Sequence, residues 1–264
     1  MPRTRIDAGD LYYEVVGEGP PLLLIAGFSG NTTGWLPVQP ALAEHFTLIM
    51  FDNRGAGRSC VPPGPYTIAQ MADDAAALLE NLGVNRTHVL GSSMGGMIAQ
   101  ELALRHPERV AKLILNVTAA RPTPALMRFL EASVWAIEHG MPPADRAFWV
   151  LPWMASPAIM TAHERVMQTL AVQQANPYPA PDAGMIAQAQ AIMAHDVLDH
   201  VGQIAAPTLV LSAAEDILTP AAGGRELAEA IPGAQFQLLP RGAHVTAAEY
   251  PGEVSAAMLE FLLA

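Results

Sequence analysis

Short runs of consecutive apolar residues recur along this chain. Each is closed by a turn, and most are followed by a helix-like stretch. Leu22–Ile25, Thr47–Phe51, Thr87–Leu90, Val110–Val117, Thr208–Leu211 and Phe236–Leu239 are such runs. A strand covered on both faces needs no polar alternation, so runs of this kind predict the central strands of a parallel sheet. Leu11–Val16 reads as a further strand, ended by Gly17-Glu-Gly-Pro-Pro21. Helical stretches are expected over Trp35–Ala43, Met97–His106, Arg225–Ala230 and Ala247–Leu263. The clearest opens at Thr67, with Gln70 three residues on as a capping box. It shows an apolar face of Ile68, Met71, Ala75, Leu78, Leu79 and Leu82, and Gly83 stops it. Strands alternating with helices imply an α/β fold, a mostly parallel sheet flanked by helices.

Residues 121–203 break this rhythm. No strand is apparent there, prolines cluster, and helix-like stretches such as Ala125–His139 and Ala162–Ala175 lie between them. The segment holds seven of the thirteen methionines and three of the four tryptophans (Trp135, Trp149, Trp153). It reads as a helical cap inserted over the C-terminal edge of the sheet, so that 1–120 and 204–264 together form the core. A chain of 264 residues with 51% apolar and 15% charged residues is long and apolar enough to fold without disulfides or metal. The single cysteine, Cys60, excludes a disulfide framework and reads as inert. A net charge of −11 and the lack of any Lys/Arg run argue against nucleic acid as a partner. No apolar stretch is long enough to span a membrane, and none follows Met1-Pro-Arg-Thr-Arg5 as a secretory leader would. A cytoplasmic protein is expected. The oligomeric state stays open, with a homodimer as one option.

Gly91-Ser-Ser-Met-Gly95 fits G-x-S-x-G, with a strand before it and a helix after it. A sharp strand-to-helix turn pushes the central side chain out at the top of a sheet, and the helix N-terminus offers free N–H groups there. Ser93 is therefore the candidate nucleophile. The plainer reading is a turn serine capping the helix, and Ser92 is the neighbour most easily confused with it. A serine hydroxyl needs a base, and the base needs an orienting acceptor. His244 follows the last predicted strand, in a loop that should emerge at the same sheet edge as Ser93. His106 reads as a helix C-cap, and His45, His88, His139, His163, His195 and His200 as surface or structural. Asp216 follows Thr208–Leu211 by a short loop and is the candidate acid, with adjoining Glu215 as its rival. The order Ser93, Asp216, His244 is the one expected for this motif. Asp52-Asn-Arg-Gly-Ala-Gly-Arg-Ser59 is charged, yet its glycine order does not fit a dinucleotide fingerprint. Asp52 and Arg54 are expected to hold it by internal hydrogen bonds. His195, Asp196, Asp199 and His200 read as a solvated helix end rather than a metal site.

These motifs together resemble a family. Asp52–Ser59 is similar to the D-x-R-G-x-G-x-S loop of small α/β-hydrolases of the esterase and lactonase type, and Gly91–Gly96 to their nucleophile elbow. Asp216-Ile-Leu-Thr-Pro220 resembles their acid loop, and Gly242-Ala-His244 with Glu249-Tyr-Pro251 their histidine loop. Enol-lactonases, aclacinomycin-methylesterase-like proteins and haloperoxidase-like esterases are of this kind. The resemblance implies the α/β-hydrolase fold, acyl transfer, and no cofactor or metal. It also implies an oxyanion hole built from the backbone N–H groups of Phe28 and Met94. Where the family usually has His-Gly-x, this chain has Ala26-Gly27-Phe28. The cap carries seven acids against four arginines and no lysine. With Trp135, Trp149 and Trp153 as candidate substrate walls, this points to a small, largely neutral ester or lactone. The same aromatics could instead pack the cap on the core. Rival readings on the same fold are C–C bond hydrolysis, perhydrolysis of the haloperoxidase-like kind, and a ligand receptor without turnover.

Overall fold

The computed structural model describes residues 2–264. Among these, the strands are β1 (Arg3–Ile6), β2 (Gly9–Val16), β3 (Pro21–Ile25), β4 (Thr47–Phe51), β5 (Thr87–Ser92), β6 (Val110–Asn116), β7 (Thr208–Ala213) and β8 (Gln235–Leu239). The helices are α1 (Gln39–Ala43), α2 (Ile68–Asn81), α3 (Met94–Arg105), α4 (Pro124–Glu138), α5 (Pro143–Met154), α6 (Pro157–Met160), α7 (His163–Gln174), α8 (Asp182–Met193), α9 (Ala221–Ala230), α10 (Thr246–Glu249) and α11 (Pro251–Leu263).

One sheet runs in the order β1-β2-β4-β3-β5-β6-β7-β8. β2 pairs antiparallel with β1 and β4, and β4-β3-β5-β6-β7-β8 pair parallel. The apolar runs divide by alternation. Leu23, Ile25, Ile49, Phe51, Val89, Leu113, Leu115 and Val210 face the core beneath α2 and α3, while Leu22, Leu24, Leu48, Met50, Leu90, Ile114, Leu209 and Leu211 face Phe46 and α11. Alternate residues of a strand point to opposite faces, so continuous apolar runs are what a sheet covered on both sides requires. The parallel register matters for function. Ile25 lies beside Gly91, Ser92 beside Asn116, Asn116 beside Leu211, and Ala213 beside Leu239. The loops leaving β3, β4, β5, β6, β7 and β8 therefore emerge along one edge.

Several boundaries differ from expectation. The Trp35–Ala43 helix is instead a 3-10 turn at Thr32–Trp35, capped by Asn31, followed by α1. Pro37 and Pro40 lack the N–H groups a continuous helix needs, so α1 starts only at Gln39, with Pro40 in its first turn. α3 begins at Met94 rather than Met97. Its Gly95-Gly96 pair is there for close packing, not for turning, since a Cβ on Gly95 would overlap the Ile25 carbonyl. The last helix is split at Tyr250-Pro251 into α10 and α11. Edge strand β1 was not expected, because its arginines and short length give no apolar run. The Thr67 capping box and the end of α2 before Gly83 match the sequence reading. Between β6 and β7 the chain supplies α4–α8 and no strand.

The loop after β4 is locked in place. Asp52 accepts from the N–H groups of Thr32 (2.8 Å) and Arg58 (2.9 Å) and from Arg58 Nε (2.9 Å). Arg54 does not bond within the loop, as the sequence suggested. It makes a bidentate pair with Asp74 of α2 at 2.6 and 2.7 Å, and both residues are buried. Planar guanidinium and carboxylate groups match at two points, which fixes the loop's orientation on the helix. Removing one partner leaves an uncompensated buried charge. Asp74→Ala should therefore cost about 3–5 kcal/mol, whereas Arg54→Met combined with Asp74→Leu should cost far less. Urea unfolding midpoints of the two variants check this, and equal losses would contradict it.

Candidate active site

Ser93 sits between β5 and α3 with φ 55° and ψ −120°, a conformation L-residues rarely adopt. Its backbone is held on all sides. Its N–H donates to the Asn116 carbonyl (3.0 Å), and its carbonyl accepts from Gly96 N (2.8 Å), Met97 N (3.2 Å) and Thr118 Oγ1 (2.8 Å). Neighbouring Ser92 is engaged elsewhere, its hydroxyl accepting from Asn116 Nδ2 at 3.1 Å.

The hydroxyl of Ser93 lies 2.8 Å from His244 Nε2, and His244 Nδ1 lies 2.8 Å from Asp216 Oδ2. Three residues far apart in sequence thus meet in one hydrogen-bonded line. His244 and Asp216 are buried, and Ser93 is partly exposed. The other oxygen of Asp216, Oδ1, accepts from the N–H groups of Leu218 (2.9 Å) and Thr219 (3.0 Å), a local turn that aims the carboxylate. Burial alone would push the Asp216 carboxyl up. The charge of His244 and the hydrogen bonds from His244 and Thr219 outweigh it and hold the group below its ordinary value. An ionised Asp216 is an acceptor only, so Nδ1 carries a proton toward it, and in the neutral imidazole it is Nε2 that presents a lone pair to Ser93.

Glu215, the rival acid, has a different task. Its Oε2 accepts from Gly242 N (2.9 Å) and its own N–H donates to the Gly242 carbonyl (3.0 Å), pinning the histidine loop. Glu249, which sequence reading left as part of a motif, joins the same loop to the helical insert. It accepts from Ala243 N (3.3 Å) and from Ser156 N (2.8 Å). Thr219 was also missed. Its hydroxyl lies 2.7 Å from Asp216 Oδ2, 2.9 Å from the Val117 carbonyl and 3.3 Å from His244 Nδ1. The clue available in sequence was a hydroxyl three residues after the acid in Asp216-Ile-Leu-Thr219.

The Ala26–Phe28 loop runs past Ser93. A Cβ on Gly27 would sit 3.2 Å from the Cβ of Ser93, so glycine permits the close approach. The N–H groups of Phe28 and Met94 have no hydrogen-bond acceptor among the described residues. Met94 is the first residue of α3, where the helix leaves its N–H groups free and its dipole is positive.

The three tryptophans part company. Trp149 and Trp153 lie one helical turn apart on α5 and pack with Phe129 of α4, the Phe129–Trp149 rings stacked at 5.8 Å. The end of α5 reaches the histidine loop, where Val245 N donates to the Met154 carbonyl (3.2 Å). Trp135 does not join them. It is 57% exposed and stacks on His139 at 4.1 Å. Residues 126, 129, 130, 133 and 136 form the buried stripe of α4, which leaves position 135 on the outer face.

The remaining histidines stand apart from this line. His106 ends α3 with its backbone, but its ring bonds Asp73 at 2.9 Å. His195 is buried, not part of a solvated helix end, and burial pushes its imidazole down to about 4. Among the described residues no group of three or more His, Cys, Asp or Glu could hold a metal ion. Burial pushes the Cys60 thiol up, which lowers its reactivity. No helix among the described residues is long and apolar enough to cross a membrane.

A family model described as alpha/beta hydrolase fold matches residues 20–249. A protein of Caulobacter sp. (strain K31) named "Putative carbamate hydrolase RutD" is 33% identical over 270 residues, covering 96% of this chain and 95% of the relative. The crystal structure of the enol-lactonase from Burkholderia xenovorans LB400 is similar at TM-score 0.91 and 30% identity, with 100% of each chain covered. The malate-bound thermophilic esterase from Thermogutta terrifontis is similar at TM-score 0.87 and 30% identity, covering 99% of this chain and 98% of its own. With the family model matched over most of its length and relatives aligned from end to end, this chain belongs to the alpha/beta hydrolase fold family.

Proposed function

We propose that the protein is a serine hydrolase that cleaves a small, largely neutral carboxylic ester or lactone. The observation that carries this reading is the line Ser93 Oγ–His244 Nε2–Asp216 Oδ2, with both contacts at 2.8 Å. In this reading His244 takes the Ser93 proton as the hydroxyl oxygen attacks the ester carbonyl. Asp216 fixes the imidazole tautomer and stabilises the imidazolium. The N–H groups of Phe28 and Met94 receive the oxyanion of the tetrahedral intermediate. The alcohol leaves with the proton from His244, and water, activated by the same imidazole, hydrolyses the acyl-enzyme. No step calls for a cofactor or metal, and the proposed setting is cytoplasmic.

Charge supports a neutral substrate. Residues 121–203, proposed as the cap, hold seven acids and four arginines. Three of those arginines are already paired, Arg121 with Glu226, Arg128 with Glu131 and Arg146 with Asp182. A dianionic substrate would find little free positive charge there. Trp149, Trp153 and Phe129 offer an apolar wall beside the histidine loop. Trp135 has no part in it. The relative named for carbamate hydrolysis adds a second substrate class, because carbamates yield to the same nucleophile and oxyanion hole.

A panel of p-nitrophenyl esters, simple lactones and aryl carbamates tests the substrate class, with a dienone and a hydroperoxide assay as the rival arms. Ser93→Ala should lower kcat on the preferred ester on the order of 10⁶-fold and abolish fluorophosphonate labelling. Near-wild-type turnover by that variant would end this reading.

Asp216→Asn should lower kcat by about 10⁴-fold, because an amide no longer enforces the tautomer that bares Nε2 to Ser93. The same change should alter the pH dependence of stability. The Asp216 carboxyl is held below its ordinary value in the folded state. Its contribution to stability is therefore fully present above the unfolded-state value of about 3.9, and it is lost as pH falls through the lower folded value. Melting temperatures from neutral pH down into this acid range should fall less steeply for Asp216→Asn than for wild type.

A further inference from the structure

The turn beside the nucleophile holds a strained residue whose support comes from far along the chain. Gly30 N donates to the Gly27 carbonyl at 3.0 Å, closing a turn over residues 27–30. Ser29, its third residue, has φ 57°, while Phe28 before it is not among the residues of positive φ. This is the type II arrangement, whose third position ordinarily takes glycine. A serine there is under strain. Flipping the peptide between Phe28 and Ser29 would relieve that strain by giving a type I turn, in which both central residues have negative φ. The flip would reverse the dipole of the peptide next to the Phe28 N–H.

Gln188 opposes that flip. The Ser29 N–H donates to Gln188 Oε1 at 2.9 Å, and Gln188 Nε2 donates to the Arg54 carbonyl at 2.7 Å. Gln188 is completely buried, at 0% exposure. With a donor on one side and an acceptor on the other, its amide has one workable orientation. α8 can deliver it because Gly184, one turn earlier, lies against Gly55, where a Cβ would overlap the Gly55 carbonyl. Positions 184 and 188 share a helix face, so the contact that seats α8 on the Asp52–Ser59 loop also points Gln188 between that loop and the turn. Residue 26 is alanine and lends no side-chain bond. Asn53 Nδ2 holds the Ala26 carbonyl at 3.0 Å but does not reach the 28–29 peptide.

We infer that Gln188 is a positioning residue for the oxyanion loop. It accepts the Ser29 N–H and so keeps the turn in the form that presents the Phe28 N–H to the reacting oxygen. A side chain of the helical insert thereby sets the geometry of the transition-state site. The inference rests on the oxyanion role proposed above for Phe28.

Gln188→Met keeps the volume and removes the acceptor. Its kcat on a p-nitrophenyl ester should fall about 10- to 100-fold with KM within about threefold, a smaller loss than deleting an oxyanion donor outright. Adding Ser29→Gly to that variant should recover much of the loss, because glycine takes positive φ without strain. A purely structural role for Gln188 gives no such rescue. The inference is overturned if kcat of folded Gln188→Met stays within about twofold of wild type, if the loss lies in KM alone, or if Ser29→Gly restores nothing. Where Gln188→Met does not fold, hydrogen exchange of the Ser29 amide in wild-type protein decides. Protection is expected, and exchange at the rate of an open loop overturns the inference. If wild-type protein shows no Ser93-dependent ester turnover, the hydrolase assignment above fails on its own, and the exchange measurement still judges the Ser29–Gln188 bond.

Discussion

The backbone of Ser93 is held where a serine does not go unaided. Its φ of 55° with ψ −120° places it in a region that costs about 1–3 kcal/mol. Four hydrogen bonds hold it there, one to the Asn116 carbonyl and three from Gly96 N, Met97 N and Thr118 Oγ1. Asn116 ends β6, the strand next to β5 in the sheet, and Thr118 lies two residues beyond it. The elbow is therefore kept by the parallel register rather than by its own sequence. Ser92 pairs with Asn116 because β5 and β6 run in the same direction, and the same register brings the Asp216 and His244 loops to that edge. If β6 slipped by one residue, the carbonyl that receives the Ser93 N–H would turn to the opposite side of its strand.

Electrostatics at this edge works by concentration, not by overall charge. The chain carries −11, which alone would disfavour a developing oxyanion. The local groups reverse that at short range. The carboxylates near the site are committed: Asp216 to His244 and Thr219, Glu215 to Gly242, Glu249 to Ala243 and Ser156. A carboxylate that accepts several hydrogen bonds has its charge answered locally. In the proposed mechanism the free N–H groups of Phe28 and Met94 then act where solvent screening is weak.

Much of this was readable from residue order because it is local. The buried strands show as unbroken apolar runs, and the elbow as glycines around Ser93. Asp216 and His244 lie just past predicted strands, and parallel strands bring such positions together. What could not be read depends on distance or on facing. Gln188 meets Ser29 across 159 residues, and no local pattern distinguishes it from the other polar residues of α8. Glu215 and Asp216 are adjacent carboxylates, and only the path of the loop decides which one meets the imidazole. Trp135 was grouped with Trp149 and Trp153 by composition. Helical spacing was the better guide, since 126, 129, 130, 133 and 136 form a stripe that excludes 135. His195 was misjudged because its acidic neighbours suggested solvent, while the preceding Ala191 and Ile192 carry the chain into the core.

The helical insert is tied to the turn after β3, to the loop after β4 and to the histidine loop. Gln188 accepts from the turn at Ser29, and the Ser156 N–H meets Glu249 behind His244. Asn31 donates to the Tyr178 carbonyl at 2.8 Å, and the Arg58 guanidinium lies 4.2 Å from the centre of the Tyr178 ring. A rigid lift of the whole insert would break all of these at once and release the turn at Ser29. The segment between the ties is different. α7 packs on α5 through a small cluster of Ala147, Leu151, Ala155 and Leu170, separate from the main core. Its Met167 and Val172 are exposed. Regions with few buried contacts open at lower free energy than the core they adjoin. α6 and α7, between the ties at Ser156 and Tyr178, are therefore expected to open at lower free energy than α8, which Gly184 seats against Gly55.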